Sequence, residues 1–230
     1  FADVEWDEGN IESYASRMER VMRTVEELKG LKGTERSIID NWLISRMNNR
    51  AGTIAGAMDD YDLRRMANET YFETMADVRW YIRRGGNNAD TAARVLSMWV
   101  RMMAPITPHI AEEMWEGLGQ KGFVSIAPYP EPMVDEIDRH AEVAEEYLAD
   151  VMSDINEILR VTGISAKRVL LYTAPAWKRE VCSMALEMAG EGKLTVPSLT
   201  KEVMSRDGLK RRGKEAADFA RKTAEDMMKR

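Results

Sequence analysis

The sequence predicts a mainly α-helical chain, an antiparallel helical bundle followed by a small, incomplete α/β domain. Three observations lead there. Apolar residues recur at helical spacing in four successive segments between residues 11 and 102, separated by glycine pairs and capping residues. Three prolines at 128, 130 and 132 form a stiff connector after those segments. Beyond the connector, one apolar run at 168–173 reads as a strand between helical stretches.

Asp7 or Asn10 is a candidate cap for the first helix, along which Ile11, Tyr14, Met18, Val21, Met22, Val25 and Leu28 share a face until Gly30 and Gly33 end it. Thr34 is the candidate cap of a second, long helix. Its stripe is Ile38, Ile39, Trp42, Leu43, Met47, Ile54 and Met58, maintained despite Gly52 and Gly56. Asp59 and Asp60 mark a turn. A third helix then runs to about residue 84, with Leu63, Met66, Tyr71, Met75, Val78 and Tyr81 inward and Gly85-Gly86 as its stop. Asn88 or Asp90 caps a fourth, carrying Val95, Met98, Trp99 and Met102.

Pro105 breaks that helix, and Thr107 followed by Pro108 is a cap with proline in the first helical position. A short helix with Ile110, Met114, Trp115 and Leu118 follows, closed by Gly117 and Gly119. His109 stands in its first turn beside Glu112 and Glu113. A paired-histidine zinc helix would need a second His one turn on, and the other histidine, His140, is 31 residues away. This segment therefore reads as a structural corner. Adjacent glutamates also diverge by about 100° on a helix and form no facing dyad.

Phe123, Val124 and Ile126 are expected to be a short extended piece, and the proline connector sets a domain boundary, giving residues 1–130 and 131–230. The second part should open with a long acidic helix from about 137 to 161, burying Val143, Tyr147, Val151, Ile155, Ile158 and Leu159. Val169, Leu170, Leu171 and Tyr172 form the expected buried strand. A helix from Pro175, a short one opening at Pro197-Ser198 and a basic one from Gly213 complete the chain. A lone strand needs partners, which is why this domain is expected to be incomplete.

The chain has 230 residues, 44% of them hydrophobic and 31% charged, with a net charge of −6. One cysteine, Cys182, excludes an internal disulfide and a multi-cysteine zinc site, and fits a reducing cytoplasm. No apolar run approaches the roughly 20 residues that span a bilayer. No signal peptide is visible. Residues 131–160 hold ten acidic and two basic residues, a balance of −8; residues 206–230 hold nine basic and five acidic, a balance of +4. Local positive potential of this kind can attract nucleic acid whatever the global sign. There is no glycine-rich phosphate loop and no Ser–His–acid pattern.

Two segments, D-N-W-L-I-S-R-M-N at 40–48 and M-W-V-R-M-M-A-P-I-T-P-H-I-A-E-E-M-W at 98–115, resemble the anticodon-binding helical bundle of class Ia aminoacyl-tRNA synthetases. The opening F-A-D-V-E-W-D-E, and V-P-S-L-T-K-E-V-M with D-F-A-R-K-T near the end, are similar to the archaeal and eukaryotic-type leucyl branch. The resemblance implies a C-terminal piece of a longer ligase that positions tRNA(Leu). The H-I-G-H and K-M-S-K-S motifs and the editing domain are absent from these 230 residues. It implies ATP and Mg²⁺ for the full-length enzyme, no cofactor in this part, catalytic and editing domains of the same chain as partners, and no membrane. The same region of an isoleucyl, valyl or methionyl enzyme is an alternative, as is a helical protein-interaction module without RNA.

Carried over residue by residue, the resemblance makes Arg36, Asn41, Trp42 and Arg46 at the opening of the second helix candidate tRNA contacts, and Asn49 joins them because a polar face must meet solvent or ligand. Trp42 also lies on the apolar stripe, and both readings stay open. Arg79, Arg83 and Arg84 cluster at the end of the third helix, where favourable placement by a helix C-terminus is the competing explanation. Lys210, Arg211 and Arg212 form the densest basic run, for which a solvated face is the competing explanation. No catalytic and no metal-binding residue is expected.

Overall fold

The computed structural model describes residues 8–228; the Asp7 cap and most of the opening F-A-D-V-E-W-D-E segment lie outside them. The chain divides into two compact units at Gly163 and Ile164.

The first unit is a helical bundle built around α2 (Ile38–Asp59). Packed on α2 are α3 (Leu63–Asn68), α4 (Thr74–Arg83), α5 (Ala89–Met103) and α7 (Arg139–Thr162); α1 (Glu8–Lys29) packs on α5 and α4, and α6 (Pro108–Gly117) on α5. The core is one cluster, with Leu28, Leu43, Met47, Ile54, Tyr81, Leu96, Trp99, Met102 and Met103 at most 1% exposed. All of these but Leu96 and Met103 lie on the stripes read from the sequence.

The cap of α2 is Ser37, not Thr34. Both its backbone N–H and its hydroxyl donate to Asp40 Oδ2 at 2.8 Å. Asp40 is 1% exposed and also accepts from the Tyr81 hydroxyl at 2.7 Å, while the Asn88 N–H donates to that hydroxyl at 3.0 Å. Asn88 caps α5 by accepting from the Thr91 N–H at 2.8 Å. One buried carboxylate thus ties the starts of α2 and α5 to the end of α4. Two glycines allow this closure. A Cβ on Gly33 would sit 2.6 Å from the Asn87 carbonyl oxygen, and one on Gly86 would sit 2.2 Å from the Tyr81 ring.

The third predicted helix is interrupted. Between α3 and α4 a π-helical turn, Glu69–Glu73, carries Tyr71 and Phe72. Leu63, expected inward, is 73% exposed. At the corner, Glu112 accepts from the backbone N–H groups of Val124 and Ser125 at 2.8 and 3.1 Å. The expected extended piece is a 3₁₀ turn, Val124–Ile126, in which Val124 alone is buried; Phe123 and Ile126 are 67% and 78% exposed.

The proline connector lies inside the first compact unit, because the start of α7 packs on α2. There the Ser45 hydroxyl donates to Glu142 Oε1 at 2.7 Å and accepts from the Asp138 N–H at 2.9 Å. The apolar stripe expected to be buried along this helix is largely open: Val143, Tyr147 and Ile158 are 50–69% exposed, and Ala141, Glu142 and Glu145 are its buried residues.

The second unit consists of α8 (Ala176–Gly190), α9 (Val196–Ser205), α10 (Asp207–Lys210) and α11 (Lys214–Met228) around Val181, Ala185, Leu199, Val203 and three alanines of α11. The α/β expectation is corrected here. Residues 168–175 belong to no strand, and Val169, Leu170, Leu171 and Tyr172 are 48–92% exposed. Among the described residues they have no ladder partner, and an extended run without one is not a strand.

Candidate nucleic-acid interface

Helical periodicity brings four of the predicted contacts together. Trp42 and Arg46 are one turn apart on α2, as are Arg79 and Arg83 on α4. All four line a groove of about 690 Å³ among α2, α4 and α7, opposite Arg139, Glu142, Glu145 and Glu146. Trp42 is 7% exposed, a core side chain that also borders the groove. The Arg46 Nε donates to Asp77 Oδ1 at 3.2 Å. The Arg83 guanidinium lies 4.5 Å from the Trp80 ring centroid.

The other predicted residues stand outside that lining. Arg36 donates to the Asn41 side-chain oxygen at 2.9 Å, and both border a separate hollow with Asp135, Glu136 and Asp138. Asn49 donates to Glu142. Arg84 forks onto Glu145 at 2.8 and 3.2 Å. Lys210, Arg211 and Arg212 are exposed at the end of α10 in the second unit. Arg212 lies 4.9 Å from the Trp177 ring centroid and 3.7 Å from Glu215.

The acidic helix accounts for much of this arrangement. Glu145 is buried between Arg84 and the Trp80 N–H, which donates at 2.8 Å. Burial pushes its carboxyl up, yet Arg84 and Trp80 hold it below its ordinary 4.5. Arg94 lowers the Glu136 carboxyl in the same way. Burial likewise raises Asp40, while its hydrogen bonds from Tyr81, Ser37 and Thr91 bring it below 3.8. Each group's folded value is depressed, so each contributes stability that is complete above its ordinary value and lost as pH falls through the folded one. Thermal stability is expected to be level above about pH 5 and to fall below about pH 4.5. Melting curves from pH 3 to 7 check this, and Glu145→Gln should lower the neutral-pH value and flatten the acid limb.

Sequence reasoning missed three features. The carboxylates of α7 and of the turn before it neutralise basic residues from distant helices. In the second unit, Lys178 lies 5.4 and 5.1 Å from the ring centroids of Trp177 and Phe219, themselves an edge-to-face pair at 5.5 Å. In the first, Arg17 lies between Tyr14 and Phe72. Trp177 belongs to the second unit's core, whereas Tyr14 and Phe72 are open to solvent, and a cation-bearing exposed aromatic face suits single-stranded or loop RNA, whose unstacked bases need platforms. Among the described residues no cluster of three His, Cys, Asp or Glu side chains converges as a metal site, and no helix is long and apolar enough to cross a membrane.

The first unit is thus a helical bundle that carries arginines and exposed aromatic rings on its surface. Residues 40–171 match the anticodon-binding domain of tRNA ligases, and the chain belongs to that family. It is 37% identical over 229 residues to a protein named leucine–tRNA ligase from Methanothrix thermoacetophila, 40% over 225 residues to that of Methanosarcina mazei, and 38% over 215 residues to that of Methanocaldococcus jannaschii. These alignments take in 98%, 96% and 93% of this chain, but 24%, 23% and 22% of the relatives. The chain thus spans about a quarter of the length of the curated relatives it matches.

Proposed function

We propose that this chain is the tRNA-binding part of a leucyl-tRNA synthetase and positions tRNA(Leu) for ATP-dependent leucylation carried out elsewhere in a larger polypeptide. Identity of 37–40% to leucine–tRNA ligases over nearly the whole chain carries this reading. The matching anticodon-binding family and the arginine- and aromatic-bordered surfaces support it. ATP and Mg²⁺ belong to the catalytic part, which with the editing part is the chain's partner; the cytoplasm is the compartment where tRNA is charged. Leucine has six codons, so the bundle holds RNA by shape and backbone rather than by reading anticodon bases.

Affinity for an RNA backbone comes largely from cations that release counterions. Lys210 and Arg211 are exposed and, among the described residues, make no ion pair; Arg212 is held against Trp177 and near Glu215. Filter binding of a leucine tRNA transcript across a salt series tests the reading. The wild-type chain should bind with strong salt dependence. Replacing Lys210, Arg211 and Arg212 together by alanine should weaken binding and reduce the log–log salt slope by roughly 1 for each phosphate that is no longer neutralised. A wild-type chain that does not bind tRNA at low salt refutes the reading; an unchanged slope removes these three from the interface.

A further inference from the structure

A second hollow shares Ala76 and Arg79 of α4 with the arginine–glutamate groove but is walled by α1 and differs in character. It encloses about 500 Å³, a volume ordinary for a small-ligand pocket, between α1, the π-helical turn, α4 and the α5–α6 corner. Its floor is apolar, with Met18, Val21 and Met75, and Tyr71 on its wall shares a 2.5 Å hydrogen bond with Thr107. Arg17, Arg20 and Arg79 line it, and among the described residues no carboxylate does. None of the three makes a salt bridge within the described residues. The groove beside α7 sets four arginines, Arg79 among them, against four carboxylates, whereas Arg17 and Arg20 line the second hollow alone.

The Arg17 guanidinium lies 5.4 Å from the Tyr14 ring centroid and 4.9 Å from that of Phe72. Both rings are open to solvent, at 58% and 44% exposed. A guanidinium over exposed aromatic faces presents a flat surface on which a base can stack. Unpaired arginines at the rim present donors for the attached phosphates. The π-helical turn sets Phe72 on this surface, and such turns are rare and recur at functional sites.

We propose that this hollow receives one unpaired nucleotide of the bound tRNA, its base stacked on Phe72 and the Arg17 guanidinium, its phosphates met by Arg20 and Arg79. An uncharged apolar partner would leave three arginines unanswered, and an acidic peptide would leave the exposed aromatic rings unused; a nucleotide satisfies both halves. The inference rests on the tRNA-binding reading above.

Two variants on different helices test it, Phe72→Leu and Arg17→Gln, with Phe72→Tyr as the conservative control; circular dichroism melts establish that each is folded. The probes are a leucine tRNA transcript in filter binding and chemical probing of its unpaired nucleotides with and without protein. Wild type and Phe72→Tyr should protect the same unpaired nucleotide. Phe72→Leu should lose that protection and bind about fivefold or more weakly, the lower end of the effect of one stacked base. Wild-type binding that both Phe72→Leu and Arg17→Gln retain, with unchanged protection, overturns this inference alone and leaves the surface to a protein partner. Failure of the wild type to bind tRNA overturns the underlying reading instead.

Discussion

Replacing Arg50 by alanine is expected to destabilise the first unit by about 3–5 kcal/mol, the cost of breaking a buried ion pair from one side. Arg50 sits in the middle of α2 with its side chain 11% exposed. Its Nε donates to Asp77 at 2.8 Å, one terminal nitrogen to Glu69 and the other to Glu73 at 3.3 Å. Burial alone would lower the guanidinium's pKa, but Asp77 and Glu69 raise it, so the charge is fixed. The three carboxylates are not equivalent. Glu73 is 44% exposed and contributes little, whereas Glu69 and Asp77 are 16% and 8% exposed and would be left in a poorly solvated site. Asp77 would retain Arg46 at 3.2 Å. Most of the loss therefore falls on Glu69, and Arg50→Ala combined with Glu69→Gln should be more stable than Arg50→Ala alone. Lysine should not restore the wild type, because an ammonium cannot reach three acceptors in a planar fork. Urea denaturation followed by tryptophan fluorescence measures this. A loss under 1 kcal/mol, the range of an exposed pair, would mean the cluster is solvated.

The same cluster shows what the sequence discloses and what it hides. Most helices of the first unit, the glycine stops, the Asn88 cap and the Thr107–Pro108 corner follow from rules acting over one or two turns and stand where local reading places them; the α2 cap and the interrupted third helix do not. The π-helical turn left a trace. Inward positions in that stretch run Met66 then Tyr71, a spacing of five where an α-helix offers three or four, and the surplus residue is what a π turn accommodates. Long-range partners left none. Arg84 meets Glu145 across 61 residues and Arg94 meets Glu136 across 42, so a basic residue could be read but not whether an acid from another helix would neutralise it. Arg46, Asn49 and Arg84, candidates as surface donors, are engaged within the fold, and nothing local in the sequence marks Arg17 and Arg20 of α1 as arginines that make no salt bridge among the described residues. The errors at Val143, Tyr147 and Val169 to Tyr172 share one cause. Periodicity and β-branching show that a segment has an apolar face, not that anything covers it.

Replacing Trp99 by alanine is expected to cost about 3–5 kcal/mol, and its consequences should extend from the core to the surface. The ring is 0% exposed near the centre of α5, and its N–H donates at 2.9 Å to the carbonyl of Thr70. Thr70 stands in the π-helical turn immediately before Tyr71 and Phe72, where the Thr74 N–H reaches back five residues to the Glu69 carbonyl. The indole thus supports the turn in two ways, by filling the space beneath it and by satisfying a buried acceptor. Phenylalanine separates them. It keeps most of the packing and removes the donor to the buried Thr70 carbonyl, for a loss of about 1–3 kcal/mol. Thermal melts give the two costs, and hydrogen exchange at the Thr74 amide reports whether the turn itself has loosened. If the turn sets the direction of Phe72, Trp99→Phe should also weaken tRNA binding at temperatures where the protein remains folded, although Trp99 is itself 0% exposed. Equal tRNA affinity in Trp99→Phe and wild type, together with faster exchange at Thr74, would mean that the ring packs the core without directing the aromatic pair above it.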